Sequence, residues 1–304
     1  MDRESWRVVL NVVKRHSRRV IRSAPRQRRP RFADWLVVAM FLWAVAHDRA
    51  QSWACDRRHY NGIFRPRRRL PGVSQFNRRV NGWRTRVILQ RVHEELAGPL
   101  TATALSYLDG KPLVVGVASK DPDARRGHVL GGYARGYKLH AWMSEDRRIP
   151  LWCVTPLSAG EPTAAHALLA HVSELSERSL VLADQNYDTH DLHKRVDARN
   201  GRLLVHPKGP PGSDSRDPSN LRQMGRARRE LLDVAQRTPS LLRMVHVRRV
   251  NAEGIFGNLC GYGGGLTGLP PWVRRPYRVR RWVGAKIILY HARLRVRRNQ
   301  KKAA

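Results

Sequence analysis

Apolar residues in the first third of the chain recur with the spacing of helices. The run at residues 35 to 46 (WLVVAMFLWAVA) is apolar throughout, but its twelve residues are too few for a membrane span, which takes about 20. This run therefore predicts a helix buried in a protein core, with Asp34 in the N-cap position. Shorter helices are expected at 51 to 60 and, after a basic loop, from a Ser74 cap to Asn81.

A glycine at position 82 separates two predicted helices, the second covering 84 to 96. Arg78 and Arg79 lie on the helix before this glycine. Two short helices that join at a glycine and expose arginines are typical of a helix-turn-helix, which would bring both arginines to DNA. A plain helical bundle explains the same pattern equally well.

Beyond Gly98 and Pro99 the pattern changes to the short apolar runs of strands. ALSYLDG and KPLVVGVA predict a hairpin, YKLHAWMS and PLWCVTPL predict further strands, and helices separate these from SLVLAD and RLLVHPK. The order β-β-β-α-β-α-β, then helix, predicts the α/β class, with a mixed sheet flanked by helices. Residues 209 to 220 are rich in Pro, Gly and Ser, which predicts a loop. The apolar and basic run at 282 to 302 predicts an amphipathic helix near the C-terminus.

The charge balance points to a polyanionic partner. Lys and Arg number 58 against 24 Asp and Glu, a formal net charge of +34 with a pI near 11.6. Such a field repels itself in a compact protein unless it meets a polyanion, and duplex DNA carries one phosphate charge per about 1.7 Å of helix axis. A genome-wide bias toward arginine explains part of the excess, but not the scarcity of acidic residues. We therefore expect a DNA-binding protein.

Cysteine and histidine usage argues against a disulfide framework and against a zinc centre. The three cysteines lie far apart in the sequence, and no His/Cys spacing typical of a zinc site occurs. The N-terminal segment has no apolar run after its charged residues, unlike a secretory signal. We expect a soluble cytoplasmic protein associated with the bacterial nucleoid.

Three carboxylates stand where a polynucleotide-processing site could form. Asp109 and Asp184 each follow an apolar strand, and ligand sites of α/β sheets collect at strand ends. Glu253 lies four residues after Arg249, so a helix would place both on one face. Taken singly, each has a plainer explanation: a turn residue or helix cap for an aspartate, or a surface ion pair for the glutamate.

Such carboxylates have a chemical use when they meet. Two of them about 4 Å apart repel by roughly 4 kcal/mol at an effective dielectric of 20, so a cluster favours divalent cations. Oxygen ligands suit Mg²⁺ or Mn²⁺ better than zinc. Two such ions can activate the attacking oxygen and stabilise the leaving oxygen in phosphoryl transfer.

Four stretches of the sequence resemble bacterial insertion-sequence transposases, which have a DDE catalytic triad and an RNase H-like core. They are YLDGKPLVVGVASKDPDARRG, GGYARGYKLHAW, VLADQNYDTHDL and RRVNAEGIFGNL. The resemblance covers about 100 to 290 and implies that Asp109, Asp184 and Glu253 are catalytic residues that bind two Mg²⁺ or Mn²⁺ ions. Asp109 and Asp184 are 75 residues apart, and Asp184 and Glu253 are 69 apart. It also implies that Arg249 binds a DNA phosphate; Lys138 is a further candidate, although a structural strand residue explains it as well.

One group of these transposases carries a Tyr, Arg, Glu and Lys signature, which this chain matches only in part. Arg249 and Glu253 fit its spacing, but the Tyr position falls on His246 and the Lys position on Cys260. Another base, such as Lys286 or Arg274, would have to substitute for the lysine.

The resulting expectation is a DNA transposase with four parts. They are a basic N-terminal helix and arm (1–30), a helical DNA-binding domain (31–98), an RNase H-like catalytic domain (99–290) and a basic tail (291–304). We expect it to bind double-stranded DNA, both terminal inverted repeats and target, and to act as a homodimer on the DNA. The alternative is an inactive relative that only binds DNA. A second alternative is a nuclease with the same core that does not transfer strands.

Overall fold

The computed structural model describes residues 1–23, 30–66, 69–100, 104–177, 179–206, 225–240, 243, 247–261 and 265–303. Residues 24–29 of the predicted basic helix and arm (1–30), the predicted loop at 209–220 and His246 lie outside these ranges. The described chain divides into two compact units. A helical unit comprises 1–98 with 258–304, and a sheet unit comprises 99–257.

The helices of the helical unit surround one that is buried on all sides. Its elements are α1 (Arg3–Ser23), α2 (Asp34–Ala46), α3 (Val73–Asn81), α4 (Trp83–Ala97) and α9 (Pro276–Ala303), with short 3-10 turns at Gln51–Cys55 and Arg57–His59. Every residue of α2 except Trp35 is buried, as expected for a helix that is apolar all round. α1, α4 and α9 pack against one another and against α2. This confirms the core helix predicted at 35–46 and the helix predicted near the C-terminus.

Two predicted helix caps in this unit are wrong. Ala33, not Asp34, is the N-cap residue of α2, and Gly72, not Ser74, is that of α3. Asp34 instead lies buried in the first turn of α2, where it forms an ion pair with Arg79. The carboxylate is therefore used for a tertiary contact and not for a local cap.

The sheet unit contains a mixed sheet that has six strands within the described residues. The strands are β1 (Leu105–Val114), β2 (Arg125–Val129), β3 (Gly132–Ser144), β4 (Leu151–Pro156), β5 (Ser179–Ala183) and β6 (Gly201–Leu204). β3 pairs antiparallel with β1 on one side and with β2 and β4 on the other. β1, β5 and β6 run parallel. The long antiparallel strands thus continue into a parallel half, which confirms the predicted mixed sheet and RNase H-like class.

Helices pack against this sheet. They are α5 (Glu161–Leu169), α6 (His190–Asp197) and α7 (Arg226–Arg237). A further helix, α8 (Val250–Gly261), begins in the sheet unit, and its last residues are assigned to the helical unit. One apolar core joins Leu108, Val181 and Leu203 of the sheet to Leu168 of α5 and Leu231 of α7. Neighbouring strand residues face opposite sides, so Tyr107 and Asp109 lie on the other face from Leu108.

The hairpin predicted from ALSYLDG and KPLVVGVA is wrong, because both runs belong largely to the single strand β1. Its residues pair with β3 without interruption from Ser106 to Val114. The Asp-Gly-Lys-Pro sequence resembles a turn locally, but the backbone stays extended because β3 pairs along its whole length. Asp109 therefore lies inside a strand and not at its end. The described helices include none whose length and apolar character would suffice to cross a bilayer.

Candidate active site

The parallel pairing of β1 and β5 brings Asp109 and Asp184 side by side. Leu108 pairs with Ala183, so the next residue on each strand is an aspartate on the same face of the sheet. Each carboxylate accepts a hydrogen bond from the following backbone N–H: Gly110 N to Asp109 Oδ1 at 2.8 Å and Gln185 N to Asp184 Oδ1 at 2.5 Å. These bonds fix the orientation of both carboxylates.

Burial and neighbouring charges make ionisation of Asp109 costly. Burial raises the pKa of Asp109 to about 6, against a normal value near 3.8. The Gly110 hydrogen bond and the Arg249 charge lower this pKa, whereas the carboxylates of Asp184 and Glu161 raise it. Asp109 thus lies among negative charges that the protein compensates only in part, and a bound cation would relieve them.

Arg249 supplies a positive charge beside the pair. Its Nη2 atom lies 4.0 Å from Asp184 Oδ2. The side chain is only 25% exposed, and its buried Nε atom has no hydrogen-bond acceptor among the described residues. Arg249 is in the turn that precedes α8. The structure therefore brings Arg249 together with both aspartates.

Glu253 lies in the first turn of α8, and its side chain is exposed. The helix is tied to β1 close to Asp109, because Asn251 Nδ2 donates to the hydroxyl of Tyr107 at 3.1 Å. Ala252 and Ile255 of α8 are buried. In the described ranges, no three His, Cys, Asp or Glu side chains are arranged to hold a metal ion. Two of the three expected carboxylates thus form a pair, and the third lies on an adjacent helix outside that pair.

Glu161 is a functional candidate that the sequence analysis missed. It begins α5, and its Oε1 accepts from Lys138 Nζ at 3.0 Å, with both side chains about 15% exposed. Its Oε2 is buried and without a hydrogen-bond partner in the described structure. The Gly160–Glu161–Pro162 sequence indicates a helix start, but only the fold shows that this start approaches Asp109. Lys138, a candidate DNA contact, is already paired here.

The absence of a side chain at Gly110 leaves space for Lys138, Glu161 and His140 beside Asp109. A Cβ atom on Gly110 would lie 3.1 Å from Lys138 Cδ, and 3.5 Å from both Glu161 Oε1 and His140 Nδ1. His140 is fully buried, and burial lowers its pKa to about 4, with a further contribution from Lys138. This imidazole is therefore neutral near pH 7. The glycine after Asp109 is needed for space and not for a turn.

Tyr187 is buried close enough to Glu161, Asp109 and Asp184 for their charges to act on its hydroxyl. It is fully buried, and its hydroxyl has no hydrogen-bond partner within the described ranges. Burial, and then the charges of Glu161, Asp109 and Asp184, hold the pKa of Tyr187 well above its normal value. The phenol stays protonated and can donate a hydrogen bond to an oxygen at the site. Its position, three residues after Asp184, was not singled out in the sequence.

Cys260, at the signature lysine position, and the two bases that could substitute for the lysine each have a contact elsewhere. The thiol of Cys260 donates to the carbonyl of Leu266 at 2.7 Å. Lys286 is buried, and its Nζ lies 2.5 Å from Asp48 Oδ1. Arg274 donates from Nε to the carbonyl of Pro271 at 2.7 Å. Each of these side chains thus has a local contact within the helical unit.

The arginines expected to contact DNA differ from each other. Arg79 donates to the buried carboxylate of Asp34, and its side chain is 23% exposed; Arg84 lies 3.7 Å from the second oxygen of Asp34. Arg78 is exposed. Of the two, Arg78 has the side chain that can reach a ligand without breaking a buried ion pair.

Comparisons with known proteins identify a family and give a similar solved structure. The family model described as "Transposase DDE domain" matches residues 105–265, just over half of the 304 residues. A search of curated proteins gives no significant match. Among solved structures, the chain is similar to a piggyBac transposase in a synaptic complex with hairpin DNA. The two are 10% identical with a TM-score of 0.48, over 95% of this chain and 73% of the other.

Proposed function

The chain belongs to the transposases with a DDE domain, and from this premise we propose that it cuts DNA at the ends of a mobile element. The freed 3′-hydroxyl then attacks target DNA. The observation that carries the proposal is the pair of aspartates on β1 and β5, which lie within the matched region and beside Arg249. No covalent protein–DNA intermediate is needed, because the nucleophiles are water and a DNA hydroxyl.

Asp109 and Asp184 are suited to hold a divalent cation, as the family generally uses. Their donors are carboxylate oxygens, and Mg²⁺ is commonly bound by one or two carboxylates together with substrate phosphates. The raised pKa of Asp109, caused by burial and then by Asp184 and Glu161, is the mark of a site in which a cation is favourable. We propose Mg²⁺ or Mn²⁺, with two ions in the DNA complex and Glu253 as the third ligand. Such ions supply Lewis-acid polarisation of the scissile phosphate.

The chain's own residues bind and orient the DNA strand. Arg249 carries a planar guanidinium whose donors match a phosphate, and its place beside the carboxylates sets it next to the scissile bond. Gly110 and Gln185 hold the two carboxylates through their backbone N–H groups. Asn251 holds the start of α8 against β1, which keeps Arg249 and Glu253 on the same side as Asp109.

The helical unit supplies the charge for binding duplex DNA. Exposed basic side chains occur on α1, α3, α4 and α9, and Arg78 is the candidate on α3. We propose that 31–98 contains the DNA-binding domain, with the basic segments at 1–30 and 291–304 adding backbone contacts. The partners are terminal inverted repeats and target DNA in the bacterial nucleoid. Because two element ends react together, a homodimer is proposed for the DNA complex.

The alternative function is an inactive relative that only binds DNA. Its support is that Cys260 occupies the signature lysine position, that Lys286 is engaged with Asp48, and that Glu253 is not placed beside the aspartates. A protein of this kind would bind element ends as well as an active transposase does. Only chemistry on the DNA separates the two functions.

The test is metal-dependent nicking of a duplex that carries the inverted repeats flanking the gene. We expect nicks at the element end in Mg²⁺, and their loss in Asp109→Ala and Asp184→Ala with binding retained. Asp191→Ala is the matched control, since Asp191 is a surface carboxylate paired with Arg195. Pre-nicked ends incubated with plasmid should give joined products. Binding without nicking in the wild type supports the inactive relative, and nicking without joining supports a nuclease.

A further inference from the structure

The guanidinium of Arg249 lies beside the two carboxylates that are proposed to bind the metal. The guanidinium is 4.0 Å from Asp184 Oδ2 and lowers the pKa of Asp109. One positive charge is thus shared between two carboxylates. The side chain is three-quarters buried, and Nε, although buried, makes no hydrogen bond in the described structure. Arg249 thus lies close to both acids without the bidentate contact that a guanidinium forms with its preferred partners.

This geometry indicates a contact that can be exchanged. At 4.0 Å the Nη2–Oδ2 contact exceeds hydrogen-bond length, so little is lost when the guanidinium leaves. A DNA phosphate offers the same planar fork two acceptor oxygens. Other bases nearby have separate surroundings. Lys138 is paired with Glu161 at 3.0 Å. Arg248 is exposed, and its charge offsets a small part of the rise that burial causes in the pKa of Tyr107.

We propose that Arg249 takes the cation's place beside Asp109 and Asp184 when metal and DNA are absent, and that a DNA phosphate draws it away. Metal and DNA then bind cooperatively, because the phosphate removes the charge that competes with the metal. By linkage, metal must strengthen DNA binding by the same factor. The inference rests on the proposed function, since it takes the aspartate pair to be the metal site.

The test measures Mn²⁺ affinity of the full-length protein by the electron paramagnetic resonance signal of free Mn²⁺. Without DNA, we expect Arg249→Gln to bind Mn²⁺ about tenfold more tightly than wild type, within the range of ordinary couplings between sites. Arg249→Lys keeps the charge and should resemble wild type. Arg248→Gln is the matched control and should change the affinity by less than about twofold. If Arg249 instead helped the site to bind metal, Arg249→Gln would bind Mn²⁺ more weakly than wild type.

A second arm adds mixed-sequence duplex DNA. Wild type should gain Mn²⁺ affinity, and Arg249→Gln should gain less, because its competing charge is already gone. Asp109→Asn is measured in parallel with the same DNA, and the Mn²⁺ bound in that sample is subtracted as binding to the DNA itself. Thermal unfolding of each variant checks that the fold is intact.

The outcomes distinguish a failure of the role proposed for Arg249 from a failure of the proposed metal site. If Asp109→Asn abolishes Mn²⁺ binding but Arg249→Gln binds Mn²⁺ no more tightly than wild type, the inference is overturned and the metal site stands. If Asp109→Asn binds Mn²⁺ as wild type does, the aspartates are not the metal site, and both the inference and the proposed metal chemistry are overturned.

Discussion

Asp109 links the chemistry of the site to the stability of the fold. Burial raises its pKa to about 6 from 3.8, so between these values the folded protein keeps a proton that the unfolded chain releases. Stability contributed by this group is therefore full below pH 4 and falls as pH rises to 6. Above pH 6 the penalty is about 2–3 kcal/mol at about 1.4 kcal/mol per pKa unit.

We therefore expect Asp109→Asn to be more stable than wild type at pH 8, by about 2 kcal/mol, and equally stable at pH 4. Urea unfolding at several pH values in EDTA measures the difference. Addition of Mg²⁺ should stabilise the wild type at pH 8 but not the variant. A difference that does not change with pH would contradict the assignment of this pKa to Asp109.

Arg78 and Arg79 are adjacent, but Arg78 is exposed and Arg79 is paired with a buried carboxylate. Arg79 neutralises Asp34, which is 1% exposed. Arg79→Ala leaves a buried carboxylate without its main partner, and we expect a loss of about 3 kcal/mol in unfolding free energy. Arg78→Ala should leave stability within about 0.5 kcal/mol but weaken DNA binding and reduce its salt slope by about one. Urea unfolding and fluorescence anisotropy with labelled duplex measure the two effects; an exchange of the two results would show that the pairing is wrong.

At the scale of elements, a buried charge network attaches α7 to α6. Asp188 accepts two hydrogen bonds from Arg228, at 2.9 and 2.8 Å, and its Oδ1 lies 3.1 Å from His193 Nε2. The Asp188 side chain is 1% exposed. The sequence does not reveal this pairing, because 40 positions separate Asp188 from Arg228.

Arg228→Ala should therefore loosen α7. Hydrogen exchange followed by mass spectrometry should show faster exchange at Arg226–Arg237, with a stability loss of about 3 kcal/mol. Arg229→Ala removes an exposed arginine from the same helix and is the control. Equal exchange in the two variants would show that the network does not hold the helix.

Which elements the sequence could predict depends on how far apart the determining residues are. The core helix α2 and strand β5 follow from local apolar runs, and both were predicted. The Asp-Gly-Lys-Pro stretch of β1 predicts a turn from its local sequence, but it forms a strand because pairing with β3 overrides that preference. Glu161 and Tyr187 were missed for the same reason: their approach to Asp109 depends on packing between distant segments. The motifs around Asp109 and Asp184 identified a candidate site, but not the position of Glu253 relative to them.

At the scale of the whole molecule, the net charge of +34 should dominate DNA affinity. Proteins that neutralise 6 to 10 phosphates lose about a thousandfold or more in affinity between about 50 and 200 mM salt. We expect a loss of affinity of that order for any duplex. The ratio of the affinities for element ends and for other sequences should fall less. Anisotropy titrations over a salt series measure both. Affinity that hardly changes with salt would show that the basic surface does not bind the DNA backbone.

The proposed chemistry requires Asp109 and Asp184 to share a divalent cation. The most direct measurement is anomalous diffraction from a crystal of the protein soaked with Mn²⁺ and bound to an element-end duplex. We expect a peak between these two carboxylates, with Arg249 turned to a phosphate and Glu253 at the ion. A bound duplex with no anomalous peak at the aspartate pair, or with one only elsewhere, would contradict it.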